Sequence, residues 1–515
     1  MFEWLRRKPA VAPDRLSNRH VLMQPARVAR ARYDAAQTTD DNRKHWMGAD
    51  FLAADAANSP EVRRVLRCRA RYEVANNSYA KGIVLTVGND VVGTGPRLQM
   101  LTRNPAVNQM VERAFSRWAN DIDLASKLRT MRMARVQDGE AFALMTTNPV
   151  LPGPVTLDLR LIEADQVATP TVLVPGWIAN PVDGIVLDDY GNPREYHLLK
   201  YHPGATYMGA IPLAPQIVPA KDMIHSFRRD RPGQHRGVPE LTPALSLFAQ
   251  LRRYTQAVLD AAETAADQAI VIQTTAPPDG EASAIEPMDT FELERRMATT
   301  LPEGWVLAQV KAEQPTTTYP EFKQEILNEI ARCMNVPRNM ALGDSSGYNY
   351  ASGRLDCQIY FKQIRLDQFE FSRVILDRLL QEWLKEALLV MGLLPAGALP
   401  LLAEIDHQWF WDGPEHVDPT KEASADQTRL QDNTTTLADI YGRKGLDWET
   451  QLRQRARETA LEKQLGLPPS SGPAKPDAAR PGGGPAETPP KGEKPPEDAG
   501  DKVPDQGGEE EEEEE

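Results

Sequence analysis

The sequence predicts an α+β fold built from several packed regions, and three observations carry this prediction. The chain has 515 residues, of which 41% are hydrophobic, so it is too long for one simple core yet apolar enough to fold over most of its length. Short β-like runs separated by turn residues occupy residues 141–227. Beyond residue 243, long segments repeat apolar residues at helical spacing. A mixed α/β part followed by a mainly helical part is expected.

The first half combines a helical pattern with short strands. An arginine-rich helical pattern from Asn58 leads into the apolar stretch Ile83–Val92, for which we expect a strand or a buried turn. Turns rich in Pro, Gly and Asn then separate five β-like runs. These runs are Ala141–Met145, Val155–Ile162, Ile185–Leu187, Glu195–Leu199 and Met223–Phe227.

Two helices with a small insertion between them follow Pro239. Thr242 as cap and Pro243 in the first turn begin a helix that runs to Asp267. Its apolar stripe is Leu247, Leu251, Tyr254, Val258, Ala261 and Ala265. The insertion has a β-α-β pattern, with Ile270–Gln273, a short helix at 291–297 and Trp305–Val310. A second helix, Glu321–Asn335, must end before Pro337 because residues that precede proline avoid helical geometry.

The next segments are predicted to be a loop, a long helix and a helical module. Residues Gly343–Gly353 are small, polar or Tyr, which predicts a flexible loop. Arg354–Met391 contains neither Pro nor Gly, which predicts a helix of about 55 Å. Its predicted apolar stripe is Ile359, Leu366, Phe369, Leu376, Leu380, Trp383 and Ala387. Asp432–Ile440 and Trp448–Leu465 are the clearest later helical segments.

The two ends of the chain carry opposite charge. Met1–Ala35 has eight Arg or Lys against three acidic residues, a basic arm without the apolar run of a secretory signal. Gly466–Glu515 has fourteen acidic and five basic residues, eleven prolines and a final run of seven glutamates, so it is expected to be disordered. Ala387–Ala403 lacks charge, but Gly and Pro interrupt it, and no membrane contact is predicted.

Few residues suggest chemistry. Three dispersed cysteines, Cys68, Cys333 and Cys357, exclude a disulfide framework and indicate synthesis in a reducing cytoplasm. The segment Gly343–Gly347 is an inexact match to the serine motif of trypsin-like proteases, which leaves a serine hydrolase at Ser345 or Ser346 as an alternative. Neither a dinucleotide fingerprint nor a phosphate loop is found, so no cofactor is predicted and the chain is not expected to be an ATP-driven motor.

A metal site can be drawn near residue 410, but packing is the preferred interpretation. The potential ligands are Asp406, His407, Asp412, Glu415 and His416. Trp409–Trp411 in the same segment instead indicates an aromatic packing element closed by Gly413 and Pro414.

Contact with nucleic acid is expected to be weak because the chain has a pI near 5.3, whereas tight binders are usually strongly basic. Tyr348 and Tyr350 are candidates to press on a duplex, and Arg354 is a candidate to meet phosphate. Ordinary contacts between subunits are an equally open interpretation of these three residues.

Several unrelated motifs occur in a specific order between about residues 33 and 467. They are Arg32–Ala36 followed by Trp46, Asn76–Ala80, Val92–Gly95, Arg135–Glu140, Leu161–Gln166, Gly184–Ile185, Tyr190–Pro193, Val218–Ala220, Arg228–Gln234, Arg236–Pro239, Tyr348–Arg354 and Asp418–Ala423. In this order the chain resembles the lambda-type family of tailed-phage portal proteins.

The resemblance implies a ring, usually of twelve subunits, divided into wing, stem, clip and crown around a central channel. The chain then divides into 1–57 (arm and linker), 58–238 (wing), 239–267 (stem), 268–318 (clip), 319–337 (second stem helix), 338–400 (tunnel loop and long wing helix), 401–467 (crown) and 468–515 (acidic tail). The DNA-facing tunnel loop would contain Asp344, Ser345, Ser346, Tyr348, Asn349, Tyr350 and Arg354.

The resemblance also implies a structural role without catalysis. The ring would conduct double-stranded viral DNA, bound without sequence preference, during packaging and ejection at one vertex of the virion. Its expected partners are further copies of itself, the terminase large subunit, head-completion or adaptor proteins, and the major capsid or scaffold protein. A different structural head protein, such as an adaptor, remains the alternative within this class.

Overall fold

The computed structural model describes residues 36–169, 182–205, 215–267, 271–274, 305–308, 319–347, 349–394, 405–413 and 419–467. Several predictions lie outside these residues: the basic arm to Ala35, the short helix at 291–297, Tyr348, Glu415, His416 and the acidic tail. The chain separates into two compact units, residues 1–448 and 449–515.

The described elements confirm an α+β architecture. The helices are α1 (Ala54–Ala57), α2 (Pro60–Asn76), α3 (Ser78–Val92), α4 (Pro105–Asp121), α5 (Leu124–Asp138), α6 (Leu245–Asp267), α7 (Tyr319–Cys333), α8 (Arg338–Leu342), α9 (Tyr350–Phe371), α10 (Asp377–Leu389), α11 (Pro419–Gln431), α12 (Leu437–Arg443) and α13 (Trp448–Leu465). The strands are β1 (Arg97–Met100), β2 (Glu140–Thr147), β3 (Leu157–Ile162), β4 (Ile185–Leu187), β5 (Pro193–Leu198), β6 (Gln216–Pro219), β7 (Met223–Phe227), β8 (Val271–Thr274), β9 (Trp305–Ala308) and β10 (His407–Phe410).

The strands form small antiparallel sheets. Strand β2 lies between β3 and β7, and β5 lies between β4 and β6. Strands β8 and β9 pair within the predicted insertion. Strand β10 pairs with β1 across more than 300 residues of sequence, with Arg97 opposite Phe410. All five predicted β-like runs of the first half overlap observed strands.

The apolar stretch Ile83–Val92 was wrongly expected to be a strand or a buried turn. It lies within α3, whose first turn is capped by the Asn77 side chain, which accepts a hydrogen bond from the Tyr79 amide at 3.0 Å. Ile83, Val84 and Val91 are all buried. A helix that packs against neighbours around most of its circumference has the same continuous apolar pattern as a buried strand.

The two predicted helices around the insertion are present, with shifted ends. Thr242 does not cap α6; its hydroxyl donates to the Pro239 carbonyl within a 3-10 turn, and the α-helix begins at Leu245. Helix α7 ends at Cys333, and Asn335 then adopts a left-handed backbone with φ of 52°. In the C-terminal region, a turn containing Asn433 replaces the first half of the predicted helix Asp432–Ile440.

The long helix departs from its predicted face. Helices α9 and α10 are joined through a π-helical turn, Ser372–Leu376, so the helix is continuous from Tyr350 to Leu389. A π turn contains one extra residue, which rotates the two halves by about 100° relative to a uniform α-helix. Trp383 and the other predicted stripe residues after the turn are therefore buried, whereas Ile359, Leu366 and Phe369 before it are exposed.

An aromatic cluster fills the centre of the core. The Phe115 ring lies 5.1 Å from Trp118, 5.4 Å from Trp383 and 5.6 Å from Trp409, measured between ring centroids. This confirms packing as the role of Trp409 on β10. Among the described residues, no helix is long and apolar enough to cross a membrane.

Candidate functional site

The predicted polar loop is a short exposed connection between α8 and α9. Gly343, with φ of 69°, ends α8. The Asp344 carboxylate accepts a hydrogen bond from the Ser346 amide at 2.9 Å, and this contact lowers the pKa of Asp344. Asn339 donates to the Ser345 hydroxyl at 3.4 Å. The loop is thus ordered by its own hydrogen bonds and presents its polar groups to solvent.

The loop is shorter than predicted because α9 begins at Tyr350, four residues early. The Asn349 side chain caps the helix by accepting from the Ser352 amide at 2.9 Å. Arg354 therefore lies in the first turns of the helix, where it is exposed. Asp344, Ser345, Ser346, Asn349 and Arg354 are brought to one exposed connection.

The serine-hydrolase alternative has no supporting geometry in this loop. A serine nucleophile requires a base, usually histidine, within hydrogen-bond distance. Within the part of the chain that the structure describes, the hydroxyl of Ser345 meets Asn339 and neither Ser345 nor Ser346 has a histidine partner.

The residues considered as metal ligands near 410 serve other contacts. The Asp412 carboxylate accepts from the Thr94 amide at 2.6 Å and from its hydroxyl at 2.7 Å. His407 Nε2 lies 3.1 Å from an Asp377 oxygen. A different trio, Glu163, Asp165 and His202, places potential ligand atoms within 4.8 Å of one another. Its central member, Asp165, already pairs with two arginines.

The centre of the sheet region holds a buried ionic network around Glu140, the first residue of β2. Arg236 Nε lies 3.0 Å from both Glu140 oxygens, and Nη2 lies 2.7 Å from Oε1. Arg67 pairs with the same carboxylate, and the Gly237 amide donates to it at 3.0 Å. Burial alone would raise the pKa of Glu140, but the Arg236 and Arg67 guanidinium groups outweigh it and hold the pKa well below the usual range.

His225 completes the contacts of Glu140 from strand β7. Its Nε2 donates to Glu140 Oε2 at 3.0 Å, and its ring stacks on Phe142 at 4.2 Å and on Phe227 at 4.4 Å. Burial lowers the pKa of His225, even though the Glu140 carboxylate opposes this effect. The imidazole therefore acts as a neutral donor inside the network.

A second network joins α5 to α9. Arg132 pairs with Glu240 at 3.0 Å and with Asp367 at 2.9 Å. Arg135 contacts the same two acids, at 3.6 Å and 3.5 Å. Burial would raise the pKa of Glu240, but Arg132 and Arg135 lower it. The long helix is thereby tied, one face down, to the residues that precede α6.

Two glycines allow the segments that carry these networks to meet. Gly139 ends α5 with φ of 88°, and a Cβ atom there would lie 2.6 Å from the Pro239 nitrogen. On the opposite segment, a Cβ on Gly237 would collide with the Gly139 carbonyl. This close backbone approach explains why both Arg135–Glu140 and Arg236–Pro239 contain glycine.

Sequence reasoning noted these two motifs but did not anticipate their ionic contacts. An available signal was the run of arginines in α2, in which Arg63 and Arg67 recur every four residues and are both buried. Buried arginines require acidic partners. The acids, however, lie 73 or more residues away in sequence, and no spacing rule identifies them.

Comparison with known proteins agrees with this motif pattern. The sequence profile of the family described as phage portal protein, lambda family, matches residues 40–368. The chain belongs to the lambda family of phage portal proteins. The matched residues include both ionic networks and the loop between α8 and α9.

Individual relatives are more distant. A probable portal protein of Halomonas phage phiHAP-1 is 26% identical over 432 residues, which cover 78% of this chain and 81% of that protein. Among solved structures, the neck of an empty gene transfer agent particle matches with a TM-score of 0.40 and 16% identity, over 78% of this chain and 93% of that one. The neck of the native particle gives the same TM-score and identity, over 80% and 95%.

Proposed function

We propose that this portal protein assembles into a ring, of twelve subunits in the particle, that forms the conduit for double-stranded viral DNA at one capsid vertex. The observation that carries the proposal is membership of the lambda portal family. The ordered polar loop between α8 and α9 supports it, because this loop is exposed and is mounted on a helix fixed by buried ion pairs.

In the proposal, residues Asp344–Asn349 and the first turn of α9 face the channel. An ionised Asp344 repels phosphate, and Arg354 attracts it. Balanced contacts of this kind bind DNA weakly and without sequence preference, so the duplex is free to slide. Tyr348 and Tyr350 belong to the same DNA-facing segment.

The remaining parts follow the portal plan. We assign residues 58–238 and the α9–α10 helix to the wing, α6 and α7 to the stem, the β8–β9 hairpin to the clip and residues 401–467 to the crown. Tyr254 supports the stem assignment, because its ring lies 4.9 Å from Phe322 and 5.6 Å from Tyr319 across the two helices.

The partners are assigned by the same reasoning. The terminase large subunit supplies the energy for translocation and docks at the clip, where head-completion proteins later replace it. The major capsid or scaffold protein surrounds the wing. In this proposal the chain is made in the bacterial cytoplasm, acts in the virion without catalysis or a cofactor, and touches no membrane.

Negative-stain microscopy of the purified full chain tests the proposal. Wide turbine-shaped rings with a central hole are expected. A chain that stays monomeric under assembly conditions would contradict the ring, and a narrow ring without a wing would favour an adaptor instead.

A further inference from the structure

Helix α9 has an apolar stripe on the face opposite its buried one. Leu355, Ile359, Leu366 and Phe369 lie within about 80° of one another on a helical projection, and each side chain is between 53% and 63% exposed. The opposite face packs inward through Tyr360, Ile364 and Phe371. Helix faces in contact with water alone are normally polar, so this stripe indicates a covering partner.

A second uncovered apolar feature is the segment that precedes α1, which we call the arm, residues 36–53. Its large side chains are Trp46, Met47, Phe51 and Leu52, and Phe51 is fully exposed at 102%. The root of the arm is fixed: Arg231 donates to the Leu52 carbonyl at 3.0 Å, and Asp55 pairs with His235 at 2.7 Å. An apolar arm that leaves a fixed root without contacting the body is suited to binding another molecule.

The two features match in length and in charge. Residues 46–52 span at most about 24 Å when extended, and the stripe from Leu355 to Phe369 is about 21 Å long at the α-helical rise. Asp50 lies beside Phe51 on the arm. Lys362 and Arg365 are exposed along one edge of the stripe, so the acidic residue would meet a basic border.

Ring geometry requires this kind of pairing. A closed ring of identical subunits uses a heterologous interface, in which each chain presents two different and complementary faces. Within the folded chain the arm and the stripe both stay exposed. We propose that the arm of one subunit, through Trp46, Met47, Phe51 and Leu52, docks on the α9 stripe of a second copy of the chain. This inference rests on the proposed ring.

Site-specific photocrosslinking tests the contact directly. A benzophenone amino acid placed at position 51 of the full chain should crosslink to residues 355–369, and the same probe at Tyr190, an equally exposed hairpin position, should not. Rings assembled from a mixture of 14N- and 15N-labelled chains identify the donor and acceptor by mass spectrometry. Crosslinks between differently labelled chains support the proposal, and crosslinks confined to one chain or to other surfaces overturn it.

Substitutions provide a second measurement. Phe51→Ser combined with Met47→Ser, or Ile359→Ser combined with Leu366→Ser, should lower ring yield at least tenfold at a fixed chain concentration. All four positions are exposed, so the subunit should keep its fold by circular dichroism; Tyr190→Ser is the control. Normal ring yield from both double variants would overturn the docking alone, whereas an unsubstituted chain that forms no ring would overturn the proposed function as well.

Discussion

Arg236 and Glu140 form a bidentate ion pair with no exposure to solvent, with guanidinium nitrogens 3.0 Å and 2.7 Å from the carboxylate oxygens. The pair joins the start of β2 to the segment that leads into α6. In the family assignment this is where the wing meets the stem. A pair of this kind holds two elements in one relative position because each charge is costly without the other.

Removing one member of this pair should therefore destabilise the subunit strongly. Glu140→Ala leaves Arg236 and Arg67 buried without their carboxylate, and we expect a loss of about 3–5 kcal/mol in the free energy of unfolding. Urea denaturation of the unassembled subunit measures it. Glu195→Ala is the control, because its pairing with the exposed Arg194 is worth about 1 kcal/mol or less. Equal effects from the two substitutions would contradict the role assigned to the network.

Stability should also fall on mild acidification because of His225. Its pKa is lowered by burial, so the unfolded chain, with a histidine pKa near 6.5, binds the proton more readily than the folded chain. The free energy of unfolding therefore decreases as pH falls below about 6.5, by at most about 1.4 kcal/mol per pH unit for this one group. Glu140 and Glu240, with lowered pKa values, lose their contribution only below about pH 4.5.

The substitution that checks this is His225→Gln, which keeps a donor for Glu140 but does not titrate. The slope of unfolding free energy against pH between 5 and 6.5 should become shallower. His197, whose pKa burial also lowers, should account for part of the remaining slope. An unchanged slope in the His225→Gln, His197→Gln double variant would show that other groups control this pH range.

These contacts mark the limit of what sequence patterns could predict. The five strands of the first half and helices α6 and α7 were predictable, because alternation and helical spacing are local properties. The direction in which Ile359, Leu366 and Phe369 face was not, because the π turn at Ser372–Leu376 depends on packing that no local pattern encodes. The ionic networks were missed for the same reason, since Glu140 meets arginines 73 and 96 residues away.

The polar loop should be dispensable for assembly but needed for DNA handling. Deleting Ser345–Tyr348 removes exposed residues and keeps Asn349, the cap of α9. Rings should form normally by microscopy, while the DNA content of assembled particles should fall. Asn349→Ala is a useful comparison, because it should cost about 1 kcal/mol of helix stability and leave the loop in place. Failure of the deletion variant to form rings would assign the loop to subunit contacts instead.

The inner face of α6 should be intolerant of charge. Leu251 is buried at 3% exposure, so Leu251→Asp loses its packing and buries a carboxylate, at a cost of at least about 4 kcal/mol. Leu259, two turns later on the same helix, is 59% exposed. Leu259→Asp is therefore the control and should leave the unfolding of the isolated subunit nearly unchanged. A similar loss from both substitutions would mean that the buried face has been misassigned.

The acidic C-terminal segment should be unnecessary for the ring. Residues after Leu467 carry a run of seven glutamates and many prolines, a composition that cannot bury a core. Negative chains gain nothing from contact with phosphate, so in the particle they would repel packaged DNA or bind a basic partner during assembly. Truncation after Leu467 should therefore preserve ring formation by microscopy, with any defect confined to capsid incorporation, DNA content or solubility. Loss of the ring on truncation would show that this segment contributes to the folded subunit.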